Sequence, residues 1–119
     1  MAWNFVEGEP VYLQIAGRLR AEIAAGKYVP GAQLPAVREL SEEVAVNPNT
    51  IQHAYMTLDS WGLTDARSTA GRFVTADKET IAEVRNELAA EETRRYLAKV
   101  KLLGFGHADA KTFIDRISE

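Results

Sequence analysis

Side chains that can donate and accept hydrogen bonds are concentrated in one short stretch of the chain, residues 47–53. Asn and Gln carry a donor beside an acceptor, which matches the major-groove edge of adenine, and His can donate to guanine or to a phosphate. His53 and His107 are the only histidines, and neither belongs to a pattern of Ser, Cys or carboxylate that suggests a catalytic triad. No glycine-rich phosphate loop is present. We therefore expect hydrogen bonding rather than catalysis from Asn47, Asn49, Thr50, Gln52 and His53.

The same stretch contains a well-specified helix start. Asn47 is a favoured N-cap, Pro48 occupies the first helical position, and Val46 and Ile51 are spaced to form a hydrophobic staple. The pattern predicts a helix that runs to Ser60 or Trp61 and ends at Gly62. One face of this helix is apolar and is expected to face the core, through Ile51, Ala54, Tyr55 and Leu58. The opposite side carries Asn49, His53, Met56 and Ser60, with Gln52 on the flank.

The surrounding elements place this helix in a recognisable order. Apolar periodicity predicts a helix over residues 11–25 and a second one from residue 35 or 36 to about 44. Ala36 and Glu39 have the spacing of a capping box, but alanine has no hydroxyl. The second helix is therefore expected to begin without that cap. Residues 63–66 and 72–75 are expected to form a β-hairpin. Helix, helix, short turn, helix and hairpin is the order of a winged helix-turn-helix, whose second turn-flanking helix enters the major groove of DNA.

The second half of the chain predicts two helices, over residues 77–103 and 107–117, separated by Gly104-Phe105-Gly106. The long helix carries an apolar stripe that one winged domain cannot cover, so a second copy of the chain is expected to bury it. The fold class is mostly α with a small β-hairpin. We divide the chain into an N-terminal arm and winged helix-turn-helix, residues 1–76, and a helical C-terminal dimerisation segment, residues 77–119.

Composition limits the other possibilities. The chain has 119 residues, 46% of them hydrophobic, which is enough for one sizeable core. The net charge of −3 argues against a generally basic DNA-binding surface, so positive groups would have to be concentrated on one face. There are no cysteines, no membrane-spanning apolar run and no signal pattern, and we expect a cytoplasmic protein without a metal or another cofactor.

Several segments closely resemble the DNA-binding domain of GntR-family bacterial repressors. They are Leu34-Pro35-Ala36-Val37-Arg38-Glu39-Leu40, Val46-Asn47-Pro48-Asn49-Thr50-Ile51-Gln52-His53-Ala54-Tyr55, Gly62-Leu63 and Gly71-Arg72-Phe73-Val74. The short tail, with Ala98-Lys99 and Leu103-Gly104-Phe105, is similar to the YtrA subfamily, which has a two-helix C-terminal segment instead of a large effector domain. The likeness covers about residues 10–117.

The resemblance implies a homodimer that represses transcription by binding a palindromic DNA operator. It assigns a phosphate or base contact to Arg38, and recognition-helix contacts to Asn47, Asn49, Thr50 and Gln52. The chain departs from the family at His53, where an Arg is common, and at the wing tip, where residues 68–72 replace an Arg-Gly-x-Gly-Thr pattern. Phosphate contacts at the hairpin are then expected from Arg67, Gly71 and Arg72. A dedicated pocket for a small-molecule effector is not expected in so short a tail.

Other interpretations of these residues stay open at this point. Asn47 serves the helix as a cap first and a phosphate ligand second, and polar residues on a helix often form only a solvated face. Arg67 and Arg72 can likewise belong to a solvated hairpin. A winged helix can also act as a protein interaction adaptor, which an acidic chain would suit.

Overall fold

Helices and one antiparallel hairpin follow one another in the predicted order. The computed structural model describes residues 3–67 and 71–118, so residues 68–70 of the predicted wing tip lie outside the described residues. The helices are α1 (Val11–Ala24), α2 (Val37–Val44), α3 (Pro48–Ser60), α4 (Lys78–Leu102) and α5 (His107–Ile117), and the strands are β1 (Thr64–Ala66) and β2 (Arg72–Val74). The mostly α fold with a winged helix-turn-helix is confirmed.

The chain forms two compact units, Met1–Arg85 and Asn86–Glu119. This division lies inside α4, whereas the sequence placed the boundary before that helix, at residues 76 and 77. The difference arises because the first turns of α4 belong to the first unit. Ile81 is only 8% exposed within that unit's core, and Val84 packs against the same core.

The core of the first unit is built from one apolar face of each of its first three helices. Ile15, Leu19 and Ile23 come from α1, and Leu40 and Val44 from α2. The predicted inner face of α3 is buried throughout, at Ile51, Ala54, Tyr55 and Leu58. Full burial of a large apolar side chain contributes about 1.5 to 3 kcal/mol to folding, so this face holds α3 in place while its other side remains exposed.

The hairpin has a neighbour that the sequence did not predict. β1 and β2 pair in antiparallel register, with Asp65 opposite Phe73. Residues 31–34, where the sequence has a Pro30-Gly31 turn signal and predicts no strand, lie along the other edge of β2. The Val74 amide donates to the Ala32 carbonyl at 2.8 Å and the Leu34 amide to the Arg72 carbonyl at 2.9 Å. β2 is therefore held from both sides, which ties the hairpin to the segment that leads into α2.

The turn between α2 and α3 has the expected local structure. The Asn47 side-chain oxygen accepts a hydrogen bond from the Asn49 amide at 2.7 Å, with Pro48 at the first helical position. Ala45 ends α2 in the left-handed conformation, with φ of 65°. Val46 packs against the core cluster to which Ile51 belongs, which is in line with the predicted staple. Cap and staple together define where α3 begins.

α2 lacks such a cap, which leads to a stability prediction. Ala36 occupies the N-cap position with extended backbone and no side-chain cap hydrogen bond, and Glu39 lies in the first turn. In Ala36→Ser the new hydroxyl can accept from the Glu39 amide while the Glu39 carboxylate accepts from the amide of residue 36, so we expect a gain of about 1 kcal/mol in the free energy of unfolding. Urea unfolding at one fixed chain concentration measures this gain. Ala36→Val has no acceptor and should show none; an equal gain for both variants would contradict the capping explanation.

α4 begins with a cap of its own. The Asp77 carboxylate accepts hydrogen bonds from the Thr80 hydroxyl at 2.9 Å and from the Glu79 amide at 3.0 Å. These bonds, chiefly those from Thr80, lower the pKa of Asp77 below its usual value, because they favour the charged carboxylate. Asp77 is therefore ionised, and its negative charge lies at the positive end of the helix dipole.

The second unit contains the end of α4 and the whole of α5. Phe105 and Phe113 meet edge to face with ring centroids 5.1 Å apart, and Ala110 is buried. Other apolar side chains in this unit remain in solvent: Leu102 is 88% exposed and Ile117 is 77% exposed. Across the described ranges 3–67 and 71–118, no helix combines the length and apolar character needed to cross a membrane.

Candidate nucleic-acid interface

The outer face of α3 presents the polar side chains that the sequence singled out. Asn49, Gln52 and His53 are exposed, and Thr50 is half-buried. Asn47 is exposed as well, but its side-chain oxygen is occupied by the cap. The amide nitrogen of Asn47 remains free of that bond. The backbone N–H groups of the first turn of α3 are already used, because Pro48 has none, Asn49 donates to the Asn47 side chain and Thr50 donates to the Asn47 carbonyl. The positive end of the helix dipole remains, and it favours an anion such as a phosphate.

These side chains divide between two clefts of the first unit. One cleft, of about 300 Å³, is lined by Val11, Tyr12, Asn49, Thr50 and His53. The other, of about 410 Å³, has Gln52 on one side and Gly71 and Arg72 on the other, above the start of α2. Arg38 and Arg67 line neither of these two clefts. The structure thus places Asn49, Thr50 and His53 next to α1, and Gln52 next to the hairpin.

Tyr12 is part of this surface, although its helical spacing with Ile15 and Leu19 predicts only an apolar position on the inner face of α1. Its ring lies on the His53 imidazole with centroids 3.5 Å apart and an angle of 8° between the planes. Tyr12 is half-buried and packs against the core. No periodic pattern could have revealed this pair, because the two rings come from different helices.

Arg72 has a structural partner that the sequence did not indicate. Its Nη2 donates to Asp59 Oδ2 at 2.8 Å, and the Arg72 side chain is 12% exposed. Asp59 also accepts a hydrogen bond from the Thr64 hydroxyl at 2.5 Å, so this carboxylate joins α3 to both strands. The sequence predicted a phosphate contact by Arg72, but its guanidinium is held in this pair and its side chain is largely buried, so little of it is accessible to a phosphate. We therefore assign Arg72 a structural role and do not count it among the DNA contacts.

The two other arginines of the predicted site are more accessible. Arg38 lies on α2 with an exposed side chain and forms no ion pair among residues 3–67 and 71–118. Arg67 lies over the Phe73 ring at 4.4 Å and pairs with Asp65 at 3.1 Å, and both charged side chains are about half exposed. A surface pair of this kind contributes about 0 to 1 kcal/mol, so Arg67 can exchange it for a phosphate at little cost.

Gly71 has a backbone conformation that favours glycine, with φ of +106°. A Cβ atom at this position would lie 2.6 Å from the Gln33 side-chain nitrogen. Gly71 therefore allows the hairpin to approach the segment that leads into α2. Its own exposed backbone faces the cleft that also contains Gln52.

Tyr55, on the buried face of α3, holds this helix in place. Its hydroxyl donates to the Pro35 carbonyl at 2.6 Å, directly before α2. Burial raises the pKa of Tyr55 well above its usual value, so the hydroxyl remains a donor at any pH relevant to binding. This bond links α3 to the start of α2, and with it the positions of Arg38 and Gln52.

The interface contains the groups that nucleic-acid binding needs and lacks those of a metal site. Across the described parts of the chain, no three His, Asp or Glu side chains converge to hold a metal ion. The outer face of α3 instead carries exposed amides, an imidazole and a half-buried hydroxyl, and accessible guanidinium groups lie on α2 and at the hairpin. These groups can donate hydrogen bonds to phosphates, and they can both donate to and accept from base edges in a groove.

Comparison with known sequences agrees with this geometry. Residues 11–74 match the family model described as bacterial regulatory proteins, gntR family. The HTH-type transcriptional regulator YhcF of Bacillus subtilis is 33% identical over 101 residues, which cover 85% of this chain and 84% of that protein. The HTH-type transcriptional repressor YtrA of the same organism is 27% identical over 110 residues, covering 92% of this chain and 85% of YtrA.

Solved structures extend the similarity to the fold. A GntR family transcriptional regulator from Listeria monocytogenes matches with a TM-score of 0.86 at 30% identity, over 95% of this chain and 99% of that one. The DNA-binding domain of AraR, crystallised in complex with its operator ORR3, matches with a TM-score of 0.54 at 28% identity, over 63% of this chain and 95% of that domain.

Proposed function

The chain belongs to the gntR family of bacterial regulatory proteins, and on that premise we propose that it is a repressor that binds a palindromic DNA operator as a homodimer. Its relatives and its fold are those of transcriptional regulators with a DNA-binding helix-turn-helix, not of enzymes. The observation that carries the proposal is the exposed polar face of α3, which is held on a buried apolar face of the same helix. The repressor role is supported by the similarity to YtrA.

We assign two kinds of contact to the residues of the interface. Asn49, Thr50, Gln52 and His53 would meet base edges, since recognition helices read DNA through their N-terminal residues. Arg38, Arg67, the Asn47 amide and the backbone at Gly71 would meet phosphates, which position the protein on the duplex. The net charge of −3 makes this local set of cations more important, because the rest of the chain adds no general attraction to DNA.

The homodimer would form through the C-terminal unit. Its exposed apolar side chains include Leu102, Leu103, Ile114 and Ile117, and a groove of about 300 Å³ is lined by Tyr96, Phe113, Ile114, Ile117 and Ser118. A second copy offers the same surface, so a two-fold pairing would bury both. Two recognition helices held about 34 to 36 Å apart, or a multiple of that distance, could then read two half-sites.

Selection of duplexes by the full chain tests the proposed function. We expect wild-type chain to enrich palindromic sequences from a random duplex pool, with an affinity that falls steeply as salt rises, because cations on the protein displace condensed counterions. Sedimentation at the same concentration should give twice the mass of one chain. A monomeric mass would contradict the homodimer. A failure to enrich any sequence would favour a winged-helix protein interaction adaptor. For either function we propose a cytoplasmic location.

A further inference from the structure

The stacked pair of Tyr12 and His53 joins the start of α1 to the outer face of α3. Its centroids are 3.5 Å apart and its planes are within 8° of parallel, so the two rings overlap face to face. Asn49 and Thr50 line the same cleft of about 300 Å³. The pair therefore lies directly beside the side chains that we assign to base contacts.

The two members of the pair differ in how firmly they are held. Tyr12 is half-buried and packs against the core of the first unit. His53 is exposed and has no hydrogen bond to its side chain among the described residues. Without Tyr12 the imidazole would rotate freely in solvent. The contact with Tyr12 is thus what restricts the orientation of the His53 ring.

From this geometry we propose that Tyr12 is a positioning residue for DNA recognition, which holds the His53 imidazole so that a ring N–H donates to a purine. This inference rests on the proposed function of α3. Ordering an exposed side chain at an interface lowers affinity, and a side chain that is ordered before binding avoids that cost. Tyr12 does not need to touch the DNA for this effect, since it acts through the orientation of His53.

The chemistry of imidazole suggests which base His53 meets. In the major groove, guanine presents acceptors at N7 and O6, and adenine presents an acceptor at N7. Cytosine presents a donor there, which cannot pair with an N–H group, and thymine presents its O4 acceptor next to the C5 methyl group, which crowds a ring that is held in one orientation. A purine is therefore the base that a fixed His53 donor would select at its position in each half-site.

Affinity measurements on a duplex selected by the wild-type chain test this proposal. Binding by the wild type shows that the proposed function holds, so the variants then report on Tyr12 alone. We expect Tyr12→Leu, which keeps an apolar side chain without a ring, to weaken binding about tenfold, from roughly threefold in each of two half-sites. Tyr12→Phe keeps the stack and should bind like the wild type. Leu13→Ala removes a partly exposed apolar neighbour on α1 and should also leave affinity unchanged.

Two further comparisons separate positioning from a purely structural role. Adding Tyr12→Leu to His53→Ala should cause no further loss, because the ring to be positioned is already gone. When each base pair of the half-site is varied in turn, both single variants should lose discrimination at the same purine and at no other position. Independent losses, or a loss spread over all positions, would overturn the proposal. A loss in Tyr12→Phe as large as in Tyr12→Leu would also overturn it, by assigning the effect to the hydroxyl.

A measurement without DNA tests the stack itself. The carbon-bound ring protons of His53 lie over the face of a phenol ring, so we expect their resonances in the full chain to be shifted upfield and to return towards ordinary values in Tyr12→Leu. Thermal unfolding followed by circular dichroism shows whether Tyr12→Leu is folded. If it is not, Tyr12→Met replaces it. Unshifted His53 resonances in the wild type would overturn the proposal whatever the variants do.

Discussion

Asp59→Ala is expected to lower the free energy of unfolding by about 2 to 3 kcal/mol, because it leaves a largely buried guanidinium without its partner. Removing one member of a fully buried ion pair costs about 3 to 5 kcal/mol, and the loss here is smaller since the Asp59 side chain is 30% exposed. The Thr64 hydroxyl, which donates to the same carboxylate, loses its acceptor as well. We expect the hairpin to detach from the end of α3 before the rest of the unit unfolds.

Urea unfolding at a fixed chain concentration measures this loss, and Asp65→Ala provides a matched control. Asp65 lies on the same hairpin and pairs with Arg67, but both side chains are about half exposed. Its removal should therefore cost less than about 1 kcal/mol. Asp59→Asn keeps an acceptor for Thr64 without the charge, and its cost should fall between the two. An equal cost for Asp59→Ala and Asp65→Ala would contradict the role that we assign to the pair.

Arg38→Ala and Asn49→Ala are expected to weaken DNA binding in two different ways. Arg38, as a phosphate contact, should affect the selected operator and an unrelated duplex alike. Because a homodimer presents each contact twice, the slope of log affinity against log salt should become about 2 units shallower. Asn49, as a base contact, should weaken the operator complex by about 2 to 6 kcal/mol, from 1 to 3 kcal/mol per half-site, and leave the unrelated duplex unaffected.

Fluorescence anisotropy titrations at several salt concentrations distinguish these effects. Lys27→Ala is a suitable control, since it also removes one positive charge but lies beyond the end of α1, about 20 Å along the helix from Tyr12. It should change neither the affinity nor the salt slope appreciably. If Arg38→Ala weakened only the operator complex, Arg38 would be a base contact instead. If the wild type bound the selected duplex no better than an unrelated one and neither substitution affected binding, the adaptor function would replace DNA recognition.

Local rules were sufficient to predict the helices of this chain from its sequence. The cap at Asn47, the proline that follows it and the apolar face through Ile51 and Leu58 lie within a few residues of one another, and each follows from backbone geometry or helical periodicity. The bounds of α5 were predicted for the same reason, because Gly106 and the apolar spacing after it are local signals.

Contacts between distant segments could not be predicted in this way. Residues 31–34 contain a turn signal and no alternation, so only the neighbouring β2 shows that they complete the sheet edge. The sequence predicted an accessible cation at Arg72, because the hairpin pattern does not reveal the Asp59 carboxylate on α3. Tyr12 and His53 are similarly far apart in the chain. The helical frame of the interface was therefore predictable, whereas the contacts that orient its side chains were not.

The opposite faces of α3 also bear on how regulators of this kind diverge. Residues 49 and 52 project away from the core, and substitutions at such exposed positions usually change stability by less than about 0.5 kcal/mol. A duplicated gene could therefore acquire a new binding preference at these positions while its product continues to fold. Residue 53 is less free to change, because the His53 ring is stacked on the Tyr12 ring. Across evolution, residues 12 and 53 should change together, while 49 and 52 vary on their own.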